Sequence, residues 1–253
     1  MRDEGPGPIL HALRCALGVR YFETEHLTPI KVRPLGTAPE ADLTSSCNLN
    51  MTKYGVEISD HRPAVFFDRD GTLIEQVPYL IRPDQVRLLP GAADAVLTLR
   101  QAGYACVIAT NQSAIGRGLM TEDDLQAVHR EMCGQFAEQN VVFDAIYHCP
   151  TAPTVPDRSM IKDWNRKPGP GMLLKAAKEL GLDLSRSWMI GDVLSDMLAG
   201  NNAGCHGAIL VETGHGLRDD EFDVAQSFVK VENVVAAAQW ILGEMRKYPM
   251  TKE

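Results

Sequence analysis

Long apolar runs are missing from this chain. Nowhere do about 18 apolar residues follow one another, which argues against a membrane-spanning helix. A basic leader with an apolar core is missing too. The chain opens Met-Arg-Asp-Glu-Gly-Pro, and the stretch Ile9 to Phe22 is broken by His11, Arg14 and Arg20. The cysteines (Cys15, Cys47, Cys106, Cys133, Cys149 and Cys205) include no Cys-x-x-Cys pair and no disulfide-like spacing. Free thiols in a reducing, cytoplasmic setting are therefore expected. Surplus positive charge is also lacking. A formal net charge of -8 argues against non-specific nucleic-acid binding, which needs a basic surface to meet phosphates. What remains is a composition with 45% hydrophobic residues, enough to build one large domain or two small ones.

Residues 1–60 differ from the rest. Pro6, Pro8, Pro29, Pro34 and Pro39, with a Thr44-Ser45-Ser46 patch, leave little sustained periodicity beyond a short helix around Leu10–Leu17. No chemical motif stands there, and the segment is expected to be a poorly ordered or accessory extension to a domain spanning 61–253. From Pro63 onward, short apolar runs alternate with amphipathic segments. Strands are expected at Ala64–Phe67, Tyr104–Ala109, Ala145–Tyr147, Trp188–Ile190, Ala208–Val211 and Phe228–Val231. Helices are expected at Ala92–Gln101, from a capping box at Thr121–Asp124 through Phe136, at Pro170–Leu180, at Ser195–Asn202 and at Val234–Met245. The alternation implies an α/β fold, a Rossmann-like doubly wound sheet that is mostly parallel. Ligands of such sheets sit beyond the carboxyl ends of the strands. The polar groups that follow four of these strands should therefore meet.

Those groups are Asp68-Arg69-Asp70-Gly71-Thr72, then Thr110-Asn111-Gln112-Ser113, then Arg166-Lys167-Pro168, then Gly191-Asp192 with Ser195-Asp196. Together they offer carboxylates, a hydroxyl and a cation, the inventory of phosphoryl transfer. Each residue alone reads more plainly as a turn, a cap or a solvated charge. The joint pattern reverses that.

In these motifs the chain resembles the haloacid-dehalogenase-like superfamily, with DxDGT, a Thr after the second strand, a Lys and a closing acidic pair. The resemblance spans roughly residues 63 to 240. It implies a magnesium-dependent phosphatase in which Asp68 is the nucleophile and Asp70 the general acid and base. Asp68, Asp192 and the Asp70 carbonyl would hold magnesium. Thr110, Asn111 and Lys167 would hold the phosphoryl group, Gly71 and Thr72 would shape the loop, and Asp196 would orient Lys167 or a metal-bound water rather than coordinate directly. An acid at Asp70 argues against dehalogenation. The spacings leave no room for a large cap domain, which favours hydrolysis over transfer.

Finer features are Asn111-Gln112-Ser113, Arg117-Gly118, Tyr147-His148-Cys149-Pro150 and Pro170-Gly171-Met172-Leu173. These are similar to the D-glycero-D-manno-heptose-1,7-bisphosphate 7-phosphatases and the related histidinol-phosphate phosphatases. That likeness implies a small phosphorylated substrate contacted by Arg166, Arg117 and Gln112, in a monomeric enzyme without nucleic-acid or membrane partners. There are departures. The subgroup's structural zinc uses Cys-x-His and Cys-x-Cys, whereas here Cys149 remains, Thr151 occupies the His position, and Asp163 and Asn165 replace the later pair. No zinc is expected, with Trp164 and the prolines packing the loop instead. Val193 stands where a lysine is usual. A polynucleotide 3′-phosphatase and a non-catalytic binding protein remain rival readings. The acidic balance speaks against the first and the intact Asp68, Asp70, Lys167 and Asp192 against the second.

Two readings of the N-terminal segment also stand: an accessory arm, or translation from Met51. An intact-mass measurement on protein from its native source separates them. A mass for all 253 residues rules out the internal start.

Overall fold

The computed structural model of the protein describes residues 20–22, 61–154, 157, 159–218, 221 and 228–247. The expected helix at 10–17, the bulk of the 1–60 segment and Met51 lie outside them. Among the described residues the strands are β1 (Arg20–Phe22), β2 (Arg62–Phe67), β3 (Ala105–Asn111), β4 (Ala145–Cys149), β5 (Leu182–Gly191), β6 (Gly207–Val211) and β7 (Val229–Val231). They form one sheet in the order β1-β4-β3-β2-β5-β6-β7. Every pairing is parallel. The chain winds from central β2 outward through β3 and β4, then returns to build β5, β6 and β7 on the other side. That reversal beside β2 opens a crevice at the carboxyl ends.

Strand side chains sort onto the two faces with a period of two, as a pleated strand requires. Val65, Phe67, Cys106, Ile108, Trp188, Ile190, Ile209 and Val211 face one layer. It is built from α1 (Ala92–Gln101), α3 (Glu122–Ala137) and α6 (Val234–Lys247). Ala64, Phe66, Val107, Met189 and Leu210 face the opposite layer, of α4 (Gly171–Leu180) and α5 (Leu194–Ala203). Both faces are covered, so the strands read as continuous apolar runs rather than alternating ones. A short helix, α2 (Ser113–Gly116), was not evident in the sequence.

The punctuation foreseen in the sequence is present. Thr121 accepts from the Asp124 N–H at 3.2 Å, while the Asp124 carboxylate accepts from the Thr121 N–H at 2.9 Å. Gly181 ends α4 with φ 63°. β5 is longer than expected because Leu182 and Asp183 already pair with Arg62 and Pro63 before a bulge. There the Ser187 hydroxyl accepts from the Ala64 N–H at 2.8 Å. At the amino end of the sheet Asp144 accepts from Arg62, from Arg100 at 2.6 Å and from the Cys106 N–H at 2.8 Å. Tethering at one end leaves the other end free for chemistry. Only a loop, a single 3-10 turn at Pro83–Gln85, α1 and the first residues of β3 lie between Asp68 and Thr110, so no cap domain is inserted there.

Phe66 is fully buried on the central strand. Phe66→Ala is expected to destabilise the fold by about 3–5 kcal/mol. Urea unfolding should show this as a lower midpoint at unchanged slope.

Candidate active site

After Phe67 the chain turns sharply. The Arg69 carbonyl accepts from the N–H groups of Leu73 at 3.0 Å and Ile74 at 3.1 Å, and Gly71 N–H donates to Ile74 at 2.8 Å. Gly71 sits at φ 80°, and a Cβ there would fall 2.7 Å from Gly214 Cα and 2.8 Å from Asp192 Oδ2. Backbone conformation and close approach both require glycine. Thr72 contributes less than expected. Its buried hydroxyl has no hydrogen-bond partner among the described residues, and backbone bonds hold the turn instead.

The four strand-end motifs converge. Lys167 Nζ lies 2.6 Å from Asp68 Oδ1 and 2.6 Å from Asp196 Oδ1. Carboxylate oxygens of Asp68, Asp192 and Asp196 fall within 4.8 Å of one another. All four residues are buried. The second Asp196 oxygen accepts from the Val193 N–H at 3.2 Å, so both its oxygens are engaged. The loop after β6 joins them, a contribution with no sequence motif to announce it. His215 N–H donates to Asp192 Oδ2 at 2.6 Å, and a Cβ on Gly214 would lie 2.0 Å from that oxygen.

Three buried carboxylates against one ammonium leave an excess of negative charge. Burial pushes the Asp68 carboxyl up from 3.8 to about 6 against the pull of Lys167, and neighbouring Asp196 and Asp70 add to the rise. Asp192 is pushed up to about 8, by burial first and then by Asp68 and Asp196. Burial alone would lower the Lys167 pKa, but Asp196 and Asp68 outweigh it and raise it. Oxygen donors with uncompensated charge are what a hard divalent cation requires, and the set fits magnesium.

Other expected residues sit at the site with different connections. Asn111 grips the Lys167 backbone from both sides, its Nδ2 donating to Lys167 O at 3.1 Å and its Oδ1 accepting from Lys167 N–H at 3.0 Å. Its amide is thus occupied in placing the lysine rather than presented to phosphate. Gln112 is buried, donating to Asp70 Oδ2 at 2.9 Å and to Thr110 Oγ1 at 2.8 Å. Arg69, which sequence reasoning passed over, is 1% exposed and forks onto Asp70, Nε to Oδ2 at 3.0 Å and Nη2 to Oδ1 at 3.1 Å. Alone in the sequence it reads as the x of DxDGT. Arg166 lines a cleft of about 550 Å³ together with Lys162, Tyr79 and the catalytic candidates. Exposed Arg117 is not among the residues lining that cleft.

Among the described residues, the positions that match the subgroup's zinc ligands in the loop between β4 and Lys167 carry a poor donor set. They are the thiol of Cys149, the carboxylate of Asp163 and the neutral side chains of Thr151 and Asn165. Burial pushes the pKa of the Cys149 thiol up. Of the loop's prolines, Pro150 is half-buried, Pro153 is exposed and Pro156 lies outside the described residues, and Trp164 is 59% exposed, so the expected packing by the indole and the prolines is not what holds the loop. Hydrogen bonds do that work. Asp163 accepts from Asn165 N–H at 2.8 Å and Cys149 Sγ at 3.9 Å, while Arg166 donates to the Thr151 carbonyl at 2.6 Å.

Comparison with known proteins is consistent across sequence and structure. A family model described as HAD-hydrolase-like matches residues 164–237. The D-glycero-D-manno-heptose-1,7-bisphosphate 7-phosphatase of Thermosynechococcus vestitus is 41% identical over 189 residues, covering 71% of this chain and 95% of that protein. The D-glycero-beta-D-manno-heptose-1,7-bisphosphate 7-phosphatase of Escherichia coli K12 is 36% identical, covering 74% of this chain and 92% of its own length. Among solved structures, the D,D-heptose 1,7-bisphosphate phosphatase of B. bronchiseptica, complexed with magnesium and phosphate, superposes with a TM-score of 0.62 at 33% identity. That match covers 72% of this chain and 99% of the other.

The raised carboxyls set a pH dependence. Folded Asp68 and Asp192 retain protons that the unfolded chain releases above about pH 4, so their contribution to stability is full at low pH. It is lost as pH rises through about 6 and about 8. A divalent cation competes with those protons for the same oxygens. The rise in thermal midpoint on adding magnesium is therefore expected to be larger at about pH 8 than at about pH 5.5. Scanning calorimetry checks this, and an equal rise at both contradicts it.

Proposed function

The chain belongs to the haloacid-dehalogenase-like hydrolases, within the heptose-1,7-bisphosphate 7-phosphatase family, and on that premise we propose that Asp68 is its nucleophile in a magnesium-dependent reaction through a phospho-aspartate. The enzyme is a phosphoric monoester hydrolase. The observation that carries the assignment of Asp68 is the position of Lys167, 2.6 Å from both Asp68 and Asp196, with Asp192 as a third buried carboxylate.

Asp68 and Asp192, with the Asp70 carbonyl, would hold magnesium. Bound there, the ion offsets the charge of a phosphate dianion that otherwise repels a carboxylate nucleophile. Asp68 attacks phosphorus and the bond to the substrate oxygen breaks. The Lys167 ammonium and the Thr110 hydroxyl meet the phosphoryl oxygens where charge gathers. Gln112 donates to Thr110 Oγ1, which leaves the Thr110 O–H free to donate onward. Asp70 gives a proton to the departing alkoxide. In the second half it takes one from the water that attacks the phospho-aspartate and regenerates Asp68. Asp70 Oδ2 already accepts from Arg69 and Gln112, whereas Oδ1 accepts from Arg69 Nη2. Oδ1 is thus the oxygen with a lone pair open for the travelling proton.

The substrate we infer is D-glycero-D-manno-heptose 1,7-bisphosphate, with the 7-phosphate removed. Support comes from the relatives' activity, from a cleft volume suited to a sugar bisphosphate, and from Arg166 and Lys162, which line it in addition to Arg69 and Lys167. An Arg fork suits a second phosphate.

Phosphate release with magnesium tests the proposal across heptose 1,7-bisphosphate, histidinol phosphate, other sugar phosphates and a 3′-phosphorylated oligonucleotide. The heptose bisphosphate is expected to give the highest kcat/KM, and a preference for any other member overturns the substrate assignment. Asp68→Asn should abolish turnover. Asp70→Asn should lower it by about 10²–10⁴-fold with magnesium binding retained. A fully active Asp68→Asn enzyme would remove the nucleophile assignment.

A further inference from the structure

Arg69 is the most buried cation of the site after which no role has been assigned. Its side chain is 1% exposed, and Asp70 is the one carboxylate it pairs with among the described residues. Nη2 also donates to Gln112 Oε1 at 3.0 Å, and Nη1 is buried without a hydrogen-bond partner there. His129, buried against the same group, brings no compensating charge. Burial and the nearby Arg69 cation push its pKa well below the ordinary value, so the imidazole stays neutral.

Such an arrangement is a poor device for stability alone. Burying an ion pair costs about as much desolvation as its attraction returns, and an apolar pair of similar volume often serves as well. Its geometry suits another purpose. The fork fixes the plane of the Asp70 carboxylate through both oxygens, and Gln112 fixes it again through Oδ2. Gln112 in turn has its own orientation set by Arg69 and donates to Thr110. One guanidinium therefore orients two groups that face the substrate, the proton donor and the phosphoryl-holding hydroxyl.

We propose that Arg69 is a positioning residue for leaving-group protonation, acting through Asp70, with Gln112 as its second arm. The inference rests on the acid–base role given to Asp70 above. An alkyl phosphate, whose departing alkoxide is strongly basic, needs the aligned proton. An aryl phosphate with a good leaving group such as 4-nitrophenolate does not. Loss of the fork should therefore discriminate between these two classes of ester, which a general loss of structure would not do.

The test uses the full chain with magnesium and measures single-turnover phosphoryl transfer to the enzyme from heptose 1,7-bisphosphate and from 4-nitrophenyl phosphate. General acid–base catalysis is worth about 10²–10⁴-fold, so Arg69→Met is expected to slow the alkyl ester by at least about 50-fold and the aryl ester by less than about 5-fold. The pre-steady-state phase of 4-nitrophenolate release should then show a burst, because Asp70 must also take a proton in the second half. Equal slowing of both esters overturns the proposal. Should Arg69→Met fail to fold, Gln112→Leu removes one arm only, and the same selectivity at about 5-fold is expected, with equal losses again overturning it. Asp70→Asn, run in parallel, separates the two layers. Selectivity there without selectivity in the Arg69 and Gln112 variants sinks this inference alone, whereas no selectivity in Asp70→Asn sinks the acid–base reading itself.

Discussion

Uncompensated negative charge at the carboxyl ends of the strands governs how this site is built. Asp68, Asp192 and Asp196 are drawn together where water has little access, and a single ammonium, Lys167, sits between two of them. Like charges in such a place are tolerable only if a cation is held close and held firmly. Much of the surrounding architecture does that holding. Asn111 clamps the Lys167 backbone, Asn202 donates to the Pro168 carbonyl at 2.9 Å, and Val193 N–H steadies the far oxygen of Asp196. These contacts come from β3, α5 and the loop after β5, elements that share only their carboxyl-end position in the sheet.

The same demand explains the bare backbone around Asp192. Gly71 and Gly214 approach its carboxylate so closely that no side chain would fit, and the His215 N–H replaces part of its lost hydration. A partly solvated oxygen would bind a cation less exclusively, and an oxygen with no donor would be costlier to bury. The residual charge that protein groups leave unmet is the share assigned to magnesium. On the other side of the nucleophile, the Arg69–Asp70–Gln112 set is closed in charge and held by five hydrogen bonds, Thr110 included. One half of the site is short of positive charge and the other is balanced, a division that matches cation binding on one side and proton handling on the other.

In the loop carrying Arg166 the chain departs from the motif of the subgroup it resembles. Asp163 and its hydrogen bonds to Asn165 and Cys149 occupy the place where the subgroup's metal ligands would stand. The expectation that Trp164 supplies the packing was mistaken because an apolar side chain was assumed to be inside. An indole at the rim of an open cleft, 59% exposed, is under no such compulsion.

Local pattern was enough for much of this protein. The apolar runs of β2 through β6, the Thr121 capping box, the Gly181 stop and the four motifs after the strands are written in neighbouring residues. They depend on periodicity, capping and turn chemistry, which act over a few positions. The rule that parallel strands gather their carboxyl ends then brought Asp68, Thr110, Lys167 and Asp192 together without coordinates. What only the tertiary structure decided were partnerships between side chains. That Asn111 serves Lys167, that Gln112 and Arg69 serve Asp70, that Gly214 and His215 reach Asp192, and that Arg117 lies off the cleft lining all depend on ångström-scale placement across distant segments. Hydrogen bonds weaken within a few tenths of an ångström and a few tens of degrees. Residue type and spacing along the chain carry no such precision, so the fold alone could assign each donor to its acceptor.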